Sequence, residues 1–249
     1  MQRLGPYELI ETLGSGAMGT VWRARHAELG AVRALKVLAL RTPSRRERFR
    51  RETEHLARIH HPNVVTIHDA GLEATRGWFA MDLIEGRSLR EALEAGPLPT
   101  QQALEVADGI AAGLEALHAA GVAHRDLKPD NVVLRADGTP VLIDLGLAVA
   151  PEEDQRLTRT GVLLGTVAYM APEQLYGDPA GPPADVFAWA LVVAELFTGE
   201  RISRDAPRAT PSSSDLPTPL PPGLGRVLDR AWRERPEERP SLSELRQAL

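Results

Sequence analysis

His124-Arg125-Asp126-Leu127-Lys128-Pro129-Asp130-Asn131, with Asp144-Leu145-Gly146 a short way downstream, is the stretch on which the reading of this chain turns. Between the two segments lie Val132–Leu134 and Val141–Ile143, apolar runs joined at Asp137-Gly138, a dipeptide that favours a tight hairpin. An acid, a lysine, an amide and a second acid therefore border one short hairpin. Asp126 can orient an attacking hydroxyl and accept its proton. Lys128 can neutralise charge on a transferring phosphoryl group, and Asn131 and Asp144 offer the oxygen ligands that magnesium prefers. A polar loop that merely happens to carry these residue types is the bland alternative. It has to explain too many matched positions at once, together with the glycine loop upstream.

That upstream loop is Leu13-Gly14-Ser15-Gly16-Ala17-Met18-Gly19-Thr20-Val21, a G-x-G-x-x-G pattern between the strands Glu8–Leu13 and Thr20–Arg25. Glycines let the backbone approach phosphate oxygens and present N–H groups to them. By itself the pattern also fits a structural turn or a dinucleotide site. A dinucleotide site needs a helix directly after the glycines, whereas Thr20-Val-Trp-Arg-Ala-Arg reads as a strand. A third strand, Ala31–Leu38, carries Ala34 and Lys36 on one face, since residues two apart in a strand point the same way. The small side chain leaves room for a flat base, and the ammonium beyond it can reach phosphates.

Composition sharpens that reading. Of 29 basic residues in 249 only Lys36 and Lys128 are lysines, so 27 are arginines. A chain this biased keeps lysine where a compact ammonium is needed and a planar guanidinium will not fit. The remaining composition is that of an ordinary globular protein, 43% hydrophobic and 25% charged. A net charge of −5 gives no reason to expect nucleic acid or an anionic membrane as partner. The absence of cysteine excludes disulfides and thiolate metal sites and suits a reducing cytoplasm. The most apolar run, Val186–Phe197, is too short to cross a bilayer and contains Glu195.

The first third reads as strands with one helix, Ser44–His60, followed by an apolar strand pair around Val64–Asp69 and Trp78–Ile84. On that helix Phe49, Leu56 and Ile59 mark the buried face, and Glu52 falls on the same stripe. An inward carboxylate needs a cation, either Lys36 or a neighbour such as Arg48. From Thr100 onward helices dominate. Thr100 is the expected N-cap of Gln101–Ala120 with Gly121 as its stop, and Asp185 the expected cap of a helix through Phe197 that is apolar all round. Ser241 and Glu244 form a capping box for the last helix. Asp205–Gly223, with six prolines and a triple serine, reads as an irregular loop.

Taken together these motifs resemble the eukaryotic-type protein kinase family, in its serine/threonine branch and its bacterial members, across residues 7–249. The resemblance implies an α+β fold of two lobes: a small antiparallel N-lobe at about 1–82, a hinge at 83–88 and a mainly helical C-lobe at 89–249. It implies ATP with magnesium, or manganese in its stead, as cofactors and protein substrates as partners. By this resemblance Leu13, Gly14, Ser15, Gly16, Ala17, Met18 and Gly19 cover the nucleotide, Lys36 holds the α/β-phosphates, and Glu52 pairs with Lys36. Met81 becomes the gatekeeper, the backbone of Asp82 and Ile84 meets the adenine edge, and Val21, Ala34 and Val133 sandwich the ring. Asp126 becomes the base, Lys128 its electrostatic partner, and Asn131 and Asp144 the metal ligands. Ala171-Pro172-Glu173 ends the activation segment, with Arg239 expected to pair with Glu173.

Lys128-Pro129 and Gly165-Thr166 resemble the serine/threonine branch. Thr158 and Thr160 stand where related bacterial kinases phosphorylate themselves, so both are candidate phosphosites whose phosphate pairs with Arg125, with a homodimer serving that reaction in trans. Leu145 replaces the usual phenylalanine, one apolar plug for another. The proline-rich 205–223 stretch departs from the family's ordered docking helix. The other functional classes are a pseudokinase, which loss of Lys36, Asp126, Asn131 or Asp144 would signal, and a small-molecule phosphotransferase, which lacks the Thr158–Glu173 pattern. A cytoplasmic location is expected, either as a complete small kinase or as the cytoplasmic domain of a longer, membrane-anchored protein, with no membrane contact by this chain itself.

Overall fold

The computed structural model of the chain describes residues 2–16, 19–145, 167–202 and 209–249. β1 (Arg3–Leu4), β2 (Tyr7–Gly16), β3 (Gly19–His26), β4 (Val32–Ala39), β5 (Ile67–Leu72) and β6 (Arg76–Met81) form one antiparallel sheet in the order β1-β2-β3-β4-β6-β5. The two-residue period of β4 divides its side chains between two environments. Ala34, Lys36 and Leu38 face the main core, where Phe79 and Met81 of β6 also lie. Leu35 and Val37 face a smaller cluster on the opposite side, with Leu4, Tyr7, Ala24, Trp78 and Ala80. Trp78 is wedged between Gly5 and Gly71, where an added Cβ would stand 2.3 and 2.4 Å from its ring.

α1 (Pro43–Leu56) is capped by Thr42, whose hydroxyl accepts from the Arg45 N–H, and it buries Phe49, Thr53 and Leu56. Phe49 packs on Phe79 with ring centroids 6.4 Å apart. The helix is shorter than the sequence reading, because Arg58 and Ile59 donate to His55 and Leu56 in tighter turns after Ala57. The chain then passes Asn63, whose carbonyl accepts from the Leu142 N–H while its side chain donates to the Pro140 carbonyl.

Beyond Met81 the chain is mainly helical. β7 (Arg87–Ser88) leads into α2 (Leu89–Leu93), closed by a Ser88–Glu91 capping box. α3 (Thr100–Ala119) packs on α5 (Pro182–Thr198), and the Trp189 indole N–H donates to the Ala107 carbonyl at 2.9 Å. Every residue of α5 from Ala184 to Thr198 is buried, as its uniformly apolar sequence predicts. β8 (Val132–Leu134) and β9 (Pro140–Leu142) form the expected hairpin and, with β7, a three-stranded sheet. α4 (Pro172–Tyr176), α6 (Leu224–Ala231) and α7 (Leu242–Gln247), the last with the Ser241–Glu244 capping box, complete the helical part. The α+β division expected from the sequence is present.

Two expected caps are corrected. Pro99, not Thr100, occupies the N-cap of α3, without a side-chain hydrogen bond. Gly181 occupies that of α5, because Pro182 starts the helix and leaves Asp185 inside the first turn, free to bond elsewhere. Within the proline-rich stretch, residues 209–223 form one 3-10 turn, Ser213–Asp215, anchored by Asp229 to the Ser213 N–H and hydroxyl. No helix among the described residues is long and apolar enough to cross a membrane.

Candidate active site

The roof of the site is the β2–β3 hairpin. An added Cβ on Gly14 or Gly16 would meet no atom within 4 Å, so their backbone faces open space. Gly19 has φ +124, and a Cβ there would sit 2.2 Å from the Val37 carbonyl, so the tip of the hairpin closes on β4 only with glycine. The Ser15 and Thr20 hydroxyls approach at 3.4 Å, and Leu13 is largely exposed. Ala17 and Met18 lie outside the described residues. Cross-strand register brings Val21 opposite Lys36 and Ala34 opposite Met81, so these side chains share the face that looks toward the C-terminal half. The Asp82 N–H donates to the Thr66 carbonyl, while neither its own carbonyl nor the Ile84 N–H has a hydrogen-bond partner among the described residues. Val133, from β8, lies against Gly86, with Cγ1 3.1 Å from where a Cβ would be.

Lys36 is 2% exposed, and its ammonium ion-pairs with Asp144 Oδ1. Burial, opposed by Asp126 and reinforced by Lys128, lowers the Lys36 pKa to about 8. The Asp144 carboxylate in contact with Nζ favours the charged form, and the lysine is an ammonium at neutral pH. Its expected partner Glu52 is elsewhere. Glu52 Oε1 accepts from Arg48 Nε at 2.9 Å and lies 3.8 Å from an Arg125 terminal nitrogen, while Oε2 is buried with no hydrogen bond among the described residues. The inward placement of Glu52 is as expected, but the lysine pairing is not made. Arg48 lies one helical turn away on the same face, and Lys36 already holds Asp144.

The 124–131 loop is held from below by Asp185. Its carboxylate accepts from the His124 N–H at 2.8 Å, the Arg125 N–H at 2.7 Å and His118 Nε2 at 2.8 Å. Arg125 and Asp144 are the non-glycine residues with positive φ among those described, at 61° and 52°. Such backbone persists where surrounding bonds over-determine it, and for Arg125 that bond is Asp185's. Asp126 accepts from Lys128 Nζ at 2.9 and 3.2 Å and from Asn131 Nδ2 at 2.9 Å. Asn131 Nδ2 also donates to the Asp126 carbonyl at 2.7 Å, and the Ile143 N–H donates to the Asn131 carbonyl, tying the loop to the strand that leads to Asp144.

The donors suit a small, hard cation. Asp144 Oδ1 is buried with no hydrogen bond among the described residues, its one partner being the Lys36 charge. The Asn131 amide nitrogen is committed to Asp126, which leaves its oxygen for a metal. No group of three or more His, Cys, Asp or Glu that could hold a metal occurs among the described residues.

Lys36, Asp126, Lys128, Asn131 and Asp144 are thus brought together, and Glu52 joins them through Arg125. Thr158, Thr160, Gly146 and Gly165 lie outside the described residues. Glu173 and Arg239 form the expected pair, bidentate at 2.6 and 2.8 Å and buried. The sequence reading missed His118 as a third donor to Asp185. It also missed a cluster of Arg90, Tyr169 and Glu195, whose one visible signal was an acid inside an apolar run.

The protein kinase domain family matches residues 7–248. The serine/threonine-protein kinase PknD of Mycobacterium tuberculosis is 37% identical over 252 residues, covering 95% of this chain and 38% of that protein. PkwA of Thermomonospora curvata, named a probable serine/threonine-protein kinase, is 38% identical over 253 residues, covering 98% and 34%. RqkA of Deinococcus radiodurans, named a DNA damage-responsive serine/threonine-protein kinase, is 37% identical over 251 residues, covering 95% and 38%. The chain thus spans well under half the length of these relatives. The crystal structure of a double mutant of the PknI kinase domain from M. tuberculosis aligns with a TM-score of 0.79 at 30% identity, covering 99% of this chain and 95% of that one. The family match over nearly the whole chain and these likenesses show that the chain belongs to the protein kinase family, as a catalytic domain of the bacterial serine/threonine type.

Proposed function

We propose that this domain transfers the γ-phosphate of ATP to serine or threonine hydroxyls of protein substrates, and that it does so with magnesium. The observation that carries the reading is the convergence of Lys36, Asp126, Lys128, Asn131 and Asp144 in one cluster, although they are spread over more than a hundred residues. Residues 1–82 act as the N-lobe, 83–88 as the hinge and 89–249 as the C-lobe. Adenine lies between Val21 and Ala34 above and Val133 below, with Met81 behind it and its edge on the Asp82 carbonyl and Ile84 N–H. The glycine hairpin covers the phosphates, and Lys36 binds them. Asn131 and Asp144 would hold magnesium, which supplies charge neutralisation at the phosphates.

Asp126 accepts a hydrogen bond from the acceptor hydroxyl and takes its proton as the oxygen attacks phosphorus. The bond from the γ-phosphorus to the bridging oxygen breaks, and ADP leaves. Lys128, already on Asp126, stabilises charge on the moving phosphoryl group. Glu52 has to exchange Arg48 and Arg125 for Lys36 as α1 turns inward. Transfer of radiolabel from ATP to a generic protein tests the proposal. Wild type should label it, Asp126→Asn should fall by at least about a hundredfold, and equal signal from both would remove Asp126 from the role of base. Autophosphorylation in trans at Thr158 or Thr160, ordering the segment through Arg125, follows from the same reading. Phosphopeptide mapping after incubation with ATP tests it, and unmodified threonines in active enzyme would refute it.

A further inference from the structure

A bulge in β5 aims a side chain at the first residue of the segment that crosses from β6 to β7. Where β5 runs against β6, Ile67 stands opposite Met81 and Asp69 opposite Ala80, so His68 is an extra residue on the β5 side. Bulges re-aim side chains and recur next to active sites. Here the aimed group is the His68 imidazole, whose Nε2 donates to Asp82 Oδ1 at 2.6 Å. Asp82 is also held through its backbone, since its N–H donates to the Thr66 carbonyl at 3.1 Å. Leu83 and Ile84, which follow it, pack against the main core, but neither they nor Glu85 make a hydrogen bond among the described residues. The crossing segment is therefore anchored at Asp82 by one backbone bond and one side-chain bond, both to residues 66–68.

We infer that His68 is a positioning residue that holds the Asp82 carbonyl where it accepts from adenine and repels guanine. This rests on the nucleotide placement proposed above, in which the adenine edge meets the Asp82 carbonyl and the Ile84 N–H. Adenine offers that carbonyl an amino donor. Guanine sets a carbonyl oxygen in the same place, acceptor against acceptor, and a site built to meet a donor rejects a base that lacks it. The rejection lasts only while the Asp82 carbonyl cannot turn away. The Thr66 bond alone leaves the Asp82 Cα free to pivot. The imidazole supplies a second anchor on the same residue, and the carbonyl carried by that Cα is then held in direction. The two side chains are 34% and 35% exposed, so the pair adds little to stability, and its effect belongs to placement.

The experiment measures kcat and KM for ATP, and the inhibition constant of GTP against it, with the purified chain and a generic protein acceptor. Wild type should prefer ATP. His68→Ala should lower the ratio of the GTP inhibition constant to the ATP KM about fivefold, the weight of one ordinary hydrogen bond, with kcat and the urea midpoint close to wild type. His68→Gln, whose amide can donate in place of the imidazole, should recover a large part of the ratio. Asp82→Ala cuts the same bond from its other side and leaves the backbone groups in place. It should lower the ratio alike, and combining it with His68→Ala should add nothing further. The proposal is overturned, with the kinase reading intact, by no preference in wild type, an unchanged ratio in His68→Ala, a loss carried by kcat instead of KM, a glutamine variant no better than alanine, or additive effects in the double variant. Absence of any transfer by the wild type would instead remove the reading on which the proposal rests, and the proposal with it.

Discussion

Arg239 offers the sharpest quantitative test of how the C-terminal half is held together. All five of its N–H donors are used. Two meet Glu173 as a fork at 2.6 and 2.8 Å, and the others meet the carbonyls of Arg233 at 2.8 Å, Pro183 at 2.9 Å and Glu234 at 3.0 Å. Its guanidinium carbon also lies 5.1 Å from the centre of the Phe187 ring. Arg239→Ala strands the buried Glu173 carboxylate and three carbonyls together. Breaking a buried pair by removing one partner costs about 3–5 kcal/mol, and each orphaned carbonyl about 1 kcal/mol with poor additivity. A total near 5 kcal/mol is expected, which approaches the whole stability of many domains. Arg239→Lys keeps the charge but cannot span the fork, and a loss of about 2 kcal/mol is expected. Glu173→Leu with Arg239→Met removes both charges and should recover a large part of the loss, because desolvation no longer has to be offset. Urea unfolding followed by tryptophan fluorescence reads all three, since Trp189 and Trp232 are buried in the same half. The reasoning fails if Arg239→Ala lies within about 1 kcal/mol of wild type, or if the double variant is no more stable than Arg239→Ala.

Four further outcomes follow from the same geometry. Arg48→Ala removes a partly buried i,i+4 partner worth about 0.3–0.5 kcal/mol, leaving Glu52 only its longer contact to Arg125 to exchange for Lys36, and should raise the initial rate about twofold; a slower variant with an unchanged unfolding midpoint would contradict the pairing exchange. Gly19→Ala, at φ +124 against the Val37 carbonyl, should cost about 1–3 kcal/mol and raise KM for ATP. Gly14→Ala, with open space around it, should leave thermal stability within about 0.5 kcal/mol. Burial, outweighing Asp185 and Asp126, holds His124 below its ordinary pKa of 6.5. The unfolded chain then binds a proton that the folded chain refuses, so stability falls as pH drops through about 6.5. His124→Phe should flatten that slope in urea titrations between pH 5 and 7, and an identical slope would rule out His124 as its source.

The residues proposed for the chemistry were legible because their spacing is local: Asp126, Lys128 and Asn131 sit in one loop, and Gly14, Gly16 and Gly19 in one hairpin. The uniformly apolar α5 also announced its burial. Asp185 was readable as an acid at a helix start, but that signal is the same for a cap and for a carboxylate that bonds the 124–131 loop, and Pro182 decided between them. Glu52 could be assigned to the inner face from Phe49 and Leu56. Its partner depends on how far α1 is turned against the sheet, a tertiary quantity with no trace in the helix's own sequence. Arg90, Tyr169 and Glu195 are separated by 79 and 105 positions from Arg90, and nothing in the neighbourhood of any one of them points to the other two.

Lys36 and Lys128, the chain's two lysines, both end in the candidate active site, with side chains only 3% and 18% exposed. Reagents that modify primary amines would therefore find no side-chain target on the outer surface. Acylation of the folded protein, followed by mass spectrometry, becomes a footprint of site occupancy with almost no background, and protection by a bound molecule can be scored at two positions without introducing a probe.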